Sequence, residues 1–119
     1  MENTRNSKPY DLEERTLEFA RDVALFCKRL PRSVSNIEYS KQVIRSSDSV
    51  GANYIEANEC LGKKDFMMRI KICRKEAKET AYWLNLINGT NDENIGGDEH
   101  LKEAIELKKI LSSILEKSK

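Results

Sequence analysis

The sequence is poor in the residues and runs that would mark several classes of protein. Among its 119 residues only five are glycine and two are proline, fewer than the many tight turns of a β-sandwich call for. No apolar run approaches the roughly 18 residues that span a bilayer, and the first ten residues lack the apolar centre of a signal peptide. We therefore expect a single domain in the cytoplasm, with no membrane contact.

Cysteine and histidine are also scarce, which argues against a disulfide framework or a metal centre. The three cysteines, Cys27, Cys60 and Cys73, are odd in number and include no CxxC pair, so we expect reduced thiols. The only histidine, His100, has no partner placed beside it by a catalytic motif, and it would act alone as a general base. The sequence thus predicts no enzymatic activity, no cofactor, no metal and no small-molecule substrate.

Helical periodicity is what the sequence does contain. The polar residues 1–10 predict a flexible N-terminal arm. Asp11 is a candidate N-cap with Glu14 at capping-box spacing, Asn36 is a candidate N-cap of the second helix, and Gly62 marks the turn that follows it. Helices are predicted at about 11–30, 37–58, 64–88 and 98–117.

The third predicted helix carries the strongest heptad pattern in the chain. Its apolar and small positions alternate at steps of four and three, at Phe66, Ile70, Cys73, Ala77, Thr80, Leu84 and Ile87. No segment of the sequence shows the alternation of a half-buried strand. Residues 11–117 therefore predict an all-α fold, an antiparallel up-down-up-down four-helix bundle with left-handed packing.

A second apolar face on the first helix points to assembly. Beside the stripe that would face the core, this helix carries another stripe formed by Leu17, Ala20, Ala24 and Cys27. A helix with two apolar faces must be covered on both, either at the centre of its own bundle or by another subunit. These four residues are therefore the candidate subunit interface of a homo-oligomer.

Two acidic pairs, Glu56/Glu59 and Glu76/Glu79, have the ExxE spacing found in helical metal-binding carboxylate proteins. Folding the second and third helices about their turn offsets Glu56 from Glu76 by about ten residues, or roughly 15 Å, which is too far to share a metal within one subunit. We instead expect a structural polar network formed by Gln42, Arg45, Asn53, Glu56, Glu76 and Glu79. A divalent-metal nucleotide phosphohydrolase that uses the two acidic pairs is kept as a second alternative.

Positive charge is concentrated on the third helix, although the whole chain carries a net charge of only +1. Residues 61–80 contain seven basic and three acidic residues, whereas residues 81–100 contain four acidic residues and no Lys or Arg. The candidate nucleic-acid contacts are Lys64, Lys71, Arg74, Lys75 and Lys78. Because no aromatic residue interrupts this stripe, contacts with the phosphate backbone are expected. An ordinary solvated helix face is the alternative interpretation.

Two motifs give the chain a resemblance to a known family. Residues 49–57, SVGANYIEA, have the form S-[IV]-x-A-N-x-x-E-[AG], and residues 75–80, KEAKET, have the form K-E-A-x-E-[ST]. Gln42, Arg45 and the pair Tyr82-Trp83 suit the same pattern. Over roughly residues 12–115 the chain resembles the four-helix bundle proteins of the 23S rRNA intervening-sequence family, the S23-type proteins.

The resemblance implies a small, non-enzymatic bacterial bundle that assembles as a homopentamer. A distant branch, the accessory proteins of diversity-generating retroelements, is basic and binds RNA and a reverse transcriptase, whereas this chain is near neutral. With the basic stripe, the resemblance predicts a non-catalytic, homo-oligomeric scaffold associated with a structured RNA or a ribonucleoprotein. The first alternative is a protein–protein adaptor that binds no nucleic acid.

Overall fold

The computed structural model describes residues 11–119 and contains four helices in this part of the chain. The predicted N-terminal arm, residues 1–10, lies outside the described residues. The helices are α1 (Leu12–Arg29), α2 (Val34–Asn58), α3 (Lys63–Thr90) and α4 (Asp98–Lys117). No strand is present between residues 11 and 119, and no helix there is long and apolar enough to cross a membrane. The predicted all-α, four-helix architecture is confirmed.

Side chains at the helix ends explain where the helices begin. The Asp11 carboxylate accepts a hydrogen bond from the Glu14 amide at 3.3 Å, so Asp11 is the N-cap of α1, as predicted. Helix α2 begins three residues earlier than predicted, because the Ser33 hydroxyl accepts a hydrogen bond from the Asn36 amide at 3.0 Å. The prediction that Asn36 caps this helix was therefore wrong.

The Asn36 side chain has a different role, which is to tie the start of α2 to the end of α3. It donates to the Pro31 carbonyl at 2.8 Å and exchanges two amide hydrogen bonds with Asn91, at 2.9 and 2.8 Å. Asn91 also donates to the Ile87 carbonyl at 2.8 Å, which satisfies one of the free carbonyls in the last turn of α3. The end of the bundle near the α3–α4 loop is thus closed by paired amides.

Helices that follow one another in the chain make most of the contacts. The pair α2–α3 packs most extensively, followed by α3–α4 and α1–α2, while α1 and α4 touch little. Three side-chain contacts show that α2 and α3 are antiparallel: Asn36–Asn91, Ser46–Thr80 at 2.8 Å and Asn53–Arg69 at 2.9 Å. Helix α3 therefore lies between α2 on one side and α4 on the other.

The core follows the heptad positions predicted for α3. All of them are buried except Phe66, which is half-buried. They pack against buried side chains of the other helices, which include Phe26, Val43, Val50, Leu107 and Leu111. Burying an aliphatic or aromatic side chain of this size is worth about 1.5–3 kcal/mol, so this continuous seam is the main source of stability.

Gly51 lets α1 and α2 approach each other closely without breaking α2. A Cβ atom at this position would lie 2.9 Å from the Thr16 Oγ1 atom and 3.2 Å from its Cβ. The Thr16 hydroxyl is turned back onto its own helix, where it donates to the Leu12 carbonyl at 2.6 Å. Glycine within a helix costs about 1 kcal/mol relative to alanine, and at this position the missing Cβ allows the two helices to cross closely.

Candidate nucleic-acid interface

Helix α3 presents one exposed stripe opposite its buried seam. The exposed positions recur at steps of four and three, as the seam does, and are Lys64, Met68, Lys71, Lys75, Lys78 and Tyr82. Because the seam fixes the rotation of the helix, it also fixes the direction of this stripe. The predicted stripe ended at Lys78, whereas in the structure it continues one turn further, to an exposed tyrosine.

Four of the five predicted cationic residues line one groove. Lys71, Arg74, Lys75 and Lys78 surround a cleft of about 360 Å³, and α4 contributes Lys108 and Ser112 to it. Lys64 does not line the groove; it lies more than one turn before Lys71, toward the start of α3.

Lys108 of α4 lines the same groove, although it was not among the predicted contacts. Helix α4 contains several lysines, and Lys108 and Lys109 are neighbours in the sequence. Only Lys108 lines the groove, whereas Lys109 lies 4.0 Å from Glu106. Nothing in the local pattern of α4 showed which of its lysines would meet α3, because that depends on the packing of the two helices.

The groove cations have no opposite charge within ion-pair distance. Other basic side chains do have one, for example Arg15 with Glu103 at 2.7 Å. Between residues 11 and 119, none of the five groove cations lies within 4.0 Å of a carboxylate. Two of them act on carboxyls at longer range: the pKa of Glu76 is raised mainly by burial, with Lys75 acting in the opposite direction, and the pKa of Glu116 is lowered mainly by its hydrogen bond with Lys119 and slightly by Arg74. The groove is therefore a concentration of positive charge without a close ion pair.

The predicted polar network is present in part, as an ion-pair cluster between α2 and α3. The Arg45 guanidinium lies 2.7 Å from the Glu79 carboxylate and 3.6 Å from that of Glu76. Glu76 is buried, and burial is the largest cause that raises its pKa; a hydrogen bond with Glu79 raises it further, and Arg45 lowers it. The structure thus brings together three of the six residues named for this network.

The other three residues do not join that cluster. Asn53 accepts a hydrogen bond from Arg69 at 2.9 Å and donates to the Ser49 carbonyl at 2.9 Å. Gln42 and Glu56 make no side-chain hydrogen bond or ion pair in the part of the chain that the structure describes. Glu56 is exposed because the neighbouring Ala57 takes the inward position on α2, so Glu56 is not part of the network in the structure.

The four carboxylates of the two ExxE pairs, named for a metal site, lie in different surroundings. Glu76 and Glu79 face Arg45, whereas Glu56 and Glu59 are exposed near the end of α2. Across residues 11–119, no group of three or more histidine, cysteine, aspartate or glutamate side chains is placed to hold a metal ion.

The candidate subunit interface on α1 lies partly in a second groove, which is apolar. Leu17 is 58% exposed, while Ala20, Ala24 and Cys27 are half-buried. Leu17 and Ala20 line a cleft of about 280 Å³ together with residues that the sequence analysis did not name. These are Thr16 of α1 and Gly51, Ala52 and Ile55 of α2, with Glu13 and Asp48 adding carboxylates.

Burial affects the ionisable groups of this region. Partial burial raises the pKa of the Asp48 carboxyl. Burial also raises the pKa of the Cys27 thiol, with a smaller opposing contribution from a hydrogen bond to Ser40. A thiol with a raised pKa is a poor nucleophile at neutral pH, so Cys27 behaves as a small packing residue.

A third cleft, of about 560 Å³, lies between α1 and the start of α4 and contains His100. The imidazole packs against Phe26, with ring centroids 4.9 Å apart. Burial lowers the pKa of His100, while Asp22 and Glu99 act in the opposite direction. The other residues that line the cleft are Asp22, Leu25, Arg29, Gly96, Asp98 and Glu99.

Comparison with known proteins identifies similar sequences and folds. The family described as 23S rRNA-intervening sequence protein matches residues 9–115 of the chain. The crystal structure of a protein with unknown function from the S23 ribosomal protein family of Bacteroides thetaiotaomicron VPI-5482 is similar, with 32% sequence identity and a TM-score of 0.75. The similarity covers 87% of this chain and 96% of that one. Among curated proteins, none matches the chain.

Proposed function

The chain belongs to the 23S rRNA-intervening sequence protein family, and from this membership we propose that it is a non-catalytic scaffold that binds RNA. RNA phosphates would occupy the groove between α3 and α4, and copies of the chain would assemble through the face of α1 that carries Leu17. The proposal assigns no catalytic step to any residue.

The observation that carries the proposal is the set of five unpaired cations around one groove. Neighbouring positive charges repel each other, and a bound polyanion relieves that repulsion. Each phosphate that a cation neutralises also releases condensed counterions, which favours binding. The groove also offers the Ser112 hydroxyl, a further donor of the type that contacts phosphate oxygens. The groove spans α3 from Lys71 to Lys78, about 10 Å along the helix at 1.5 Å per residue, which suits an extended anion.

We take RNA as the polyanion because the name of the family refers to an intervening sequence of 23S rRNA. An RNA backbone carries one phosphate per nucleotide, so several phosphates can meet the groove in succession. Contacts of this kind fix the position of a strand without reading its sequence. The proposed activity is therefore binding that depends on charge more than on base identity.

Self-assembly is the second part of the proposal, and the apolar groove between α1 and α2 supports it. Leu17 and Ile55 are 58% and 48% exposed, and they lie beside each other in a cleft lined mainly by apolar surface. Exposed apolar side chains that form one patch mark interaction sites more often than scattered ones do. The number of subunits follows from the family resemblance, which implies five.

Binding of labelled structured RNA at about 50 and 200 mM salt tests the RNA-binding part. With three to five phosphate contacts, we expect the affinity to fall roughly 20- to 500-fold between these salt concentrations. The triple variant Lys71→Glu, Lys75→Glu, Lys78→Glu should lose binding at both. The matched control is Arg21→Glu, Arg32→Glu, Lys102→Glu, which makes the same change in net charge at exposed positions outside the groove.

The control variant should keep most of the affinity, because it leaves the groove cations in place. Equal loss in both triple variants would show that net charge, and not the groove, governs binding. Absence of binding by the unmodified protein at 50 mM salt would reject the RNA-binding part and favour a protein–protein adaptor. A pull-down from the native host would then be the next experiment.

A further inference from the structure

Tyr82 is the feature of α3 that phosphate binding does not explain. It is 58% exposed, and among residues 11–119 no other aromatic side chain is more than half-exposed. The other described aromatic residues of the chain are buried or half-buried. A single exposed side chain of this kind is ordinary on a protein surface, so what bears on the role of Tyr82 is where it lies on α3 and what surrounds it.

The tyrosine ring is held in place by a row of aromatic side chains. Tyr82 meets Trp83 edge-on, with ring centroids 5.0 Å apart and an angle of 77° between the rings. Trp83 in turn lies 6.1 Å from Tyr39 of α2 and packs against the core. The exposed ring is thus supported from behind, which lowers the entropy that it would lose on binding a ligand.

Tyr82 also lies in line with the groove cations. It follows Lys78 by four residues on the exposed stripe of α3, or about 6 Å along the helix, and it is about 16 Å from the level of Lys71. The acidic residue one turn earlier, Glu79, is paired with Arg45 at 2.7 Å, so its charge is compensated. The exposed Asn85 comes next on the stripe and offers an amide that can hydrogen-bond to base edges.

We propose that the ligand of this surface is single-stranded RNA, with an unpaired base stacked on Tyr82 while neighbouring phosphates occupy the basic groove. This inference rests on the proposed function and specifies the class of RNA. Single-strand-binding surfaces combine a positively charged groove that follows the backbone with aromatic side chains that stack the bases. In a duplex the bases are already stacked within the helix, so a duplex can use the cations but not the tyrosine.

The test compares two RNAs and three variants by fluorescence anisotropy at about 50 mM salt. The RNAs are a 12-nucleotide adenine-rich strand and the duplex of that strand with its complement. The variants are Tyr82→Ala, Tyr82→Phe and, as a control on α1, Leu25→Ala, which shortens another exposed apolar side chain. Trp83 is the only tryptophan of the chain, so its emission reports on a base bound beside Tyr82.

We expect Tyr82→Ala to weaken binding of the single strand roughly 5- to 100-fold and to leave duplex binding unchanged. Tyr82→Phe and Leu25→Ala should bind the single strand as the unmodified protein does. The single strand should quench the Trp83 emission, and the duplex should not. The salt dependence of Tyr82→Ala should match that of the unmodified protein, since no phosphate contact is removed.

The results separate failure of this inference from failure of the proposed function. If neither RNA binds at low salt, RNA binding itself is rejected. If both bind through the cations and Tyr82→Ala changes nothing, the basic groove stands and the stacking role of Tyr82 is rejected. If the duplex binds more tightly than the strand, the basic groove stands and single-stranded RNA is rejected as the ligand.

Discussion

The groove between α1 and α2 and the groove between α3 and α4 differ in what lines them, although neighbouring helices form both. The first is apolar, with Leu17 and Ile55 exposed and two carboxylates on its lining. The second is lined by five cations and by no carboxylate. A common core therefore supports two surfaces of opposite character, because the residues just outside a buried seam are free to differ without changing the fold.

This contrast predicts that a substitution in one groove leaves the function of the other intact. The largest expected effect is the loss of assembly when the apolar groove is changed. Leu17→Asp places a charge in the proposed interface, so we expect the assembled mass to fall while the helical circular dichroism signal is kept. Val34→Asp is the control, since Val34 is exposed in the first turn of α2, where a negative charge is tolerated. Mass by light scattering is the measurement.

The triple charge reversal in the basic groove should leave that mass unchanged. If Leu17→Asp keeps the mass of the unmodified protein, this face of α1 does not form the interface. If the charge reversal dissociates the assembly, the two grooves are not independent and the contrast between them fails.

The close crossing of α1 and α2 predicts an intermediate effect on stability. Gly51→Ala and Gly89→Ala both gain about 1 kcal/mol of helix propensity. Only Gly51→Ala forces a Cβ against Thr16, because nothing lies within 4 Å of the Cβ position at Gly89. Overpacking of this kind costs about 1–3 kcal/mol, so Gly51→Ala should be less stable than Gly89→Ala by about that amount in urea unfolding.

Both variants should be compared at the same protein concentration, because assembly contributes to the measured stability. Equal stabilisation by the two substitutions would show that α1 moves away from α2 without cost. The close approach at Gly51 would then not limit the packing of the apolar groove.

The smallest predicted effect concerns the buried carboxyl that faces Arg45. Because the pKa of Glu76 is raised above its ordinary value of 4.5, the folded protein binds its proton more tightly than the unfolded chain does. The stability that this difference contributes is fully present below about pH 4.5 and is lost as pH rises through the folded pKa. Glu76→Gln removes the titration.

The melting temperature of the unmodified protein, relative to that of Glu76→Gln, should therefore fall as pH rises from about 4 to 7. Thermal unfolding by circular dichroism across this range is the measurement, with Glu56→Gln as an exposed control on α2. A relative melting temperature that rises with pH would reverse the sign and show that the attraction of Arg45 outweighs burial.

The sequence pattern predicted the helices well and the polar side chains less well. The heptad positions of α3 are the buried ones, because a period of about 3.5 residues defines a face on any helix. The start of α2 was predicted three residues late, since both Ser33 and Asn36 are suitable caps and only the backbone geometry selects between them. Glu56 was predicted to join the polar network, but it is exposed, since Ala57 takes the inward position beside it.

The residues of the candidate sites were also predicted where spacing within one helix places them, and missed where packing between helices does. The basic residues of α3 follow from spacing within one helix, so four of the five predicted contacts lie together in one groove. The partners from other helices, Lys108 beside the cations and Ile55 beside Leu17, were not predicted. Arg69 was missed for the same reason, because its hydrogen bond to Asn53 joins residues 16 positions apart.

The sequence by itself determined that the chain is helical, which face of each helix is buried, and that positive charge is concentrated on one of them. Those properties are local, since they depend on the order of residues within a helix and on the helical period. Only the tertiary structure decided that Lys108 completes the basic groove and that Ala52 and Ile55 extend the apolar one. Those properties depend on the rotation and approach of packed helices, which interlocking side chains in the core set and no single segment encodes.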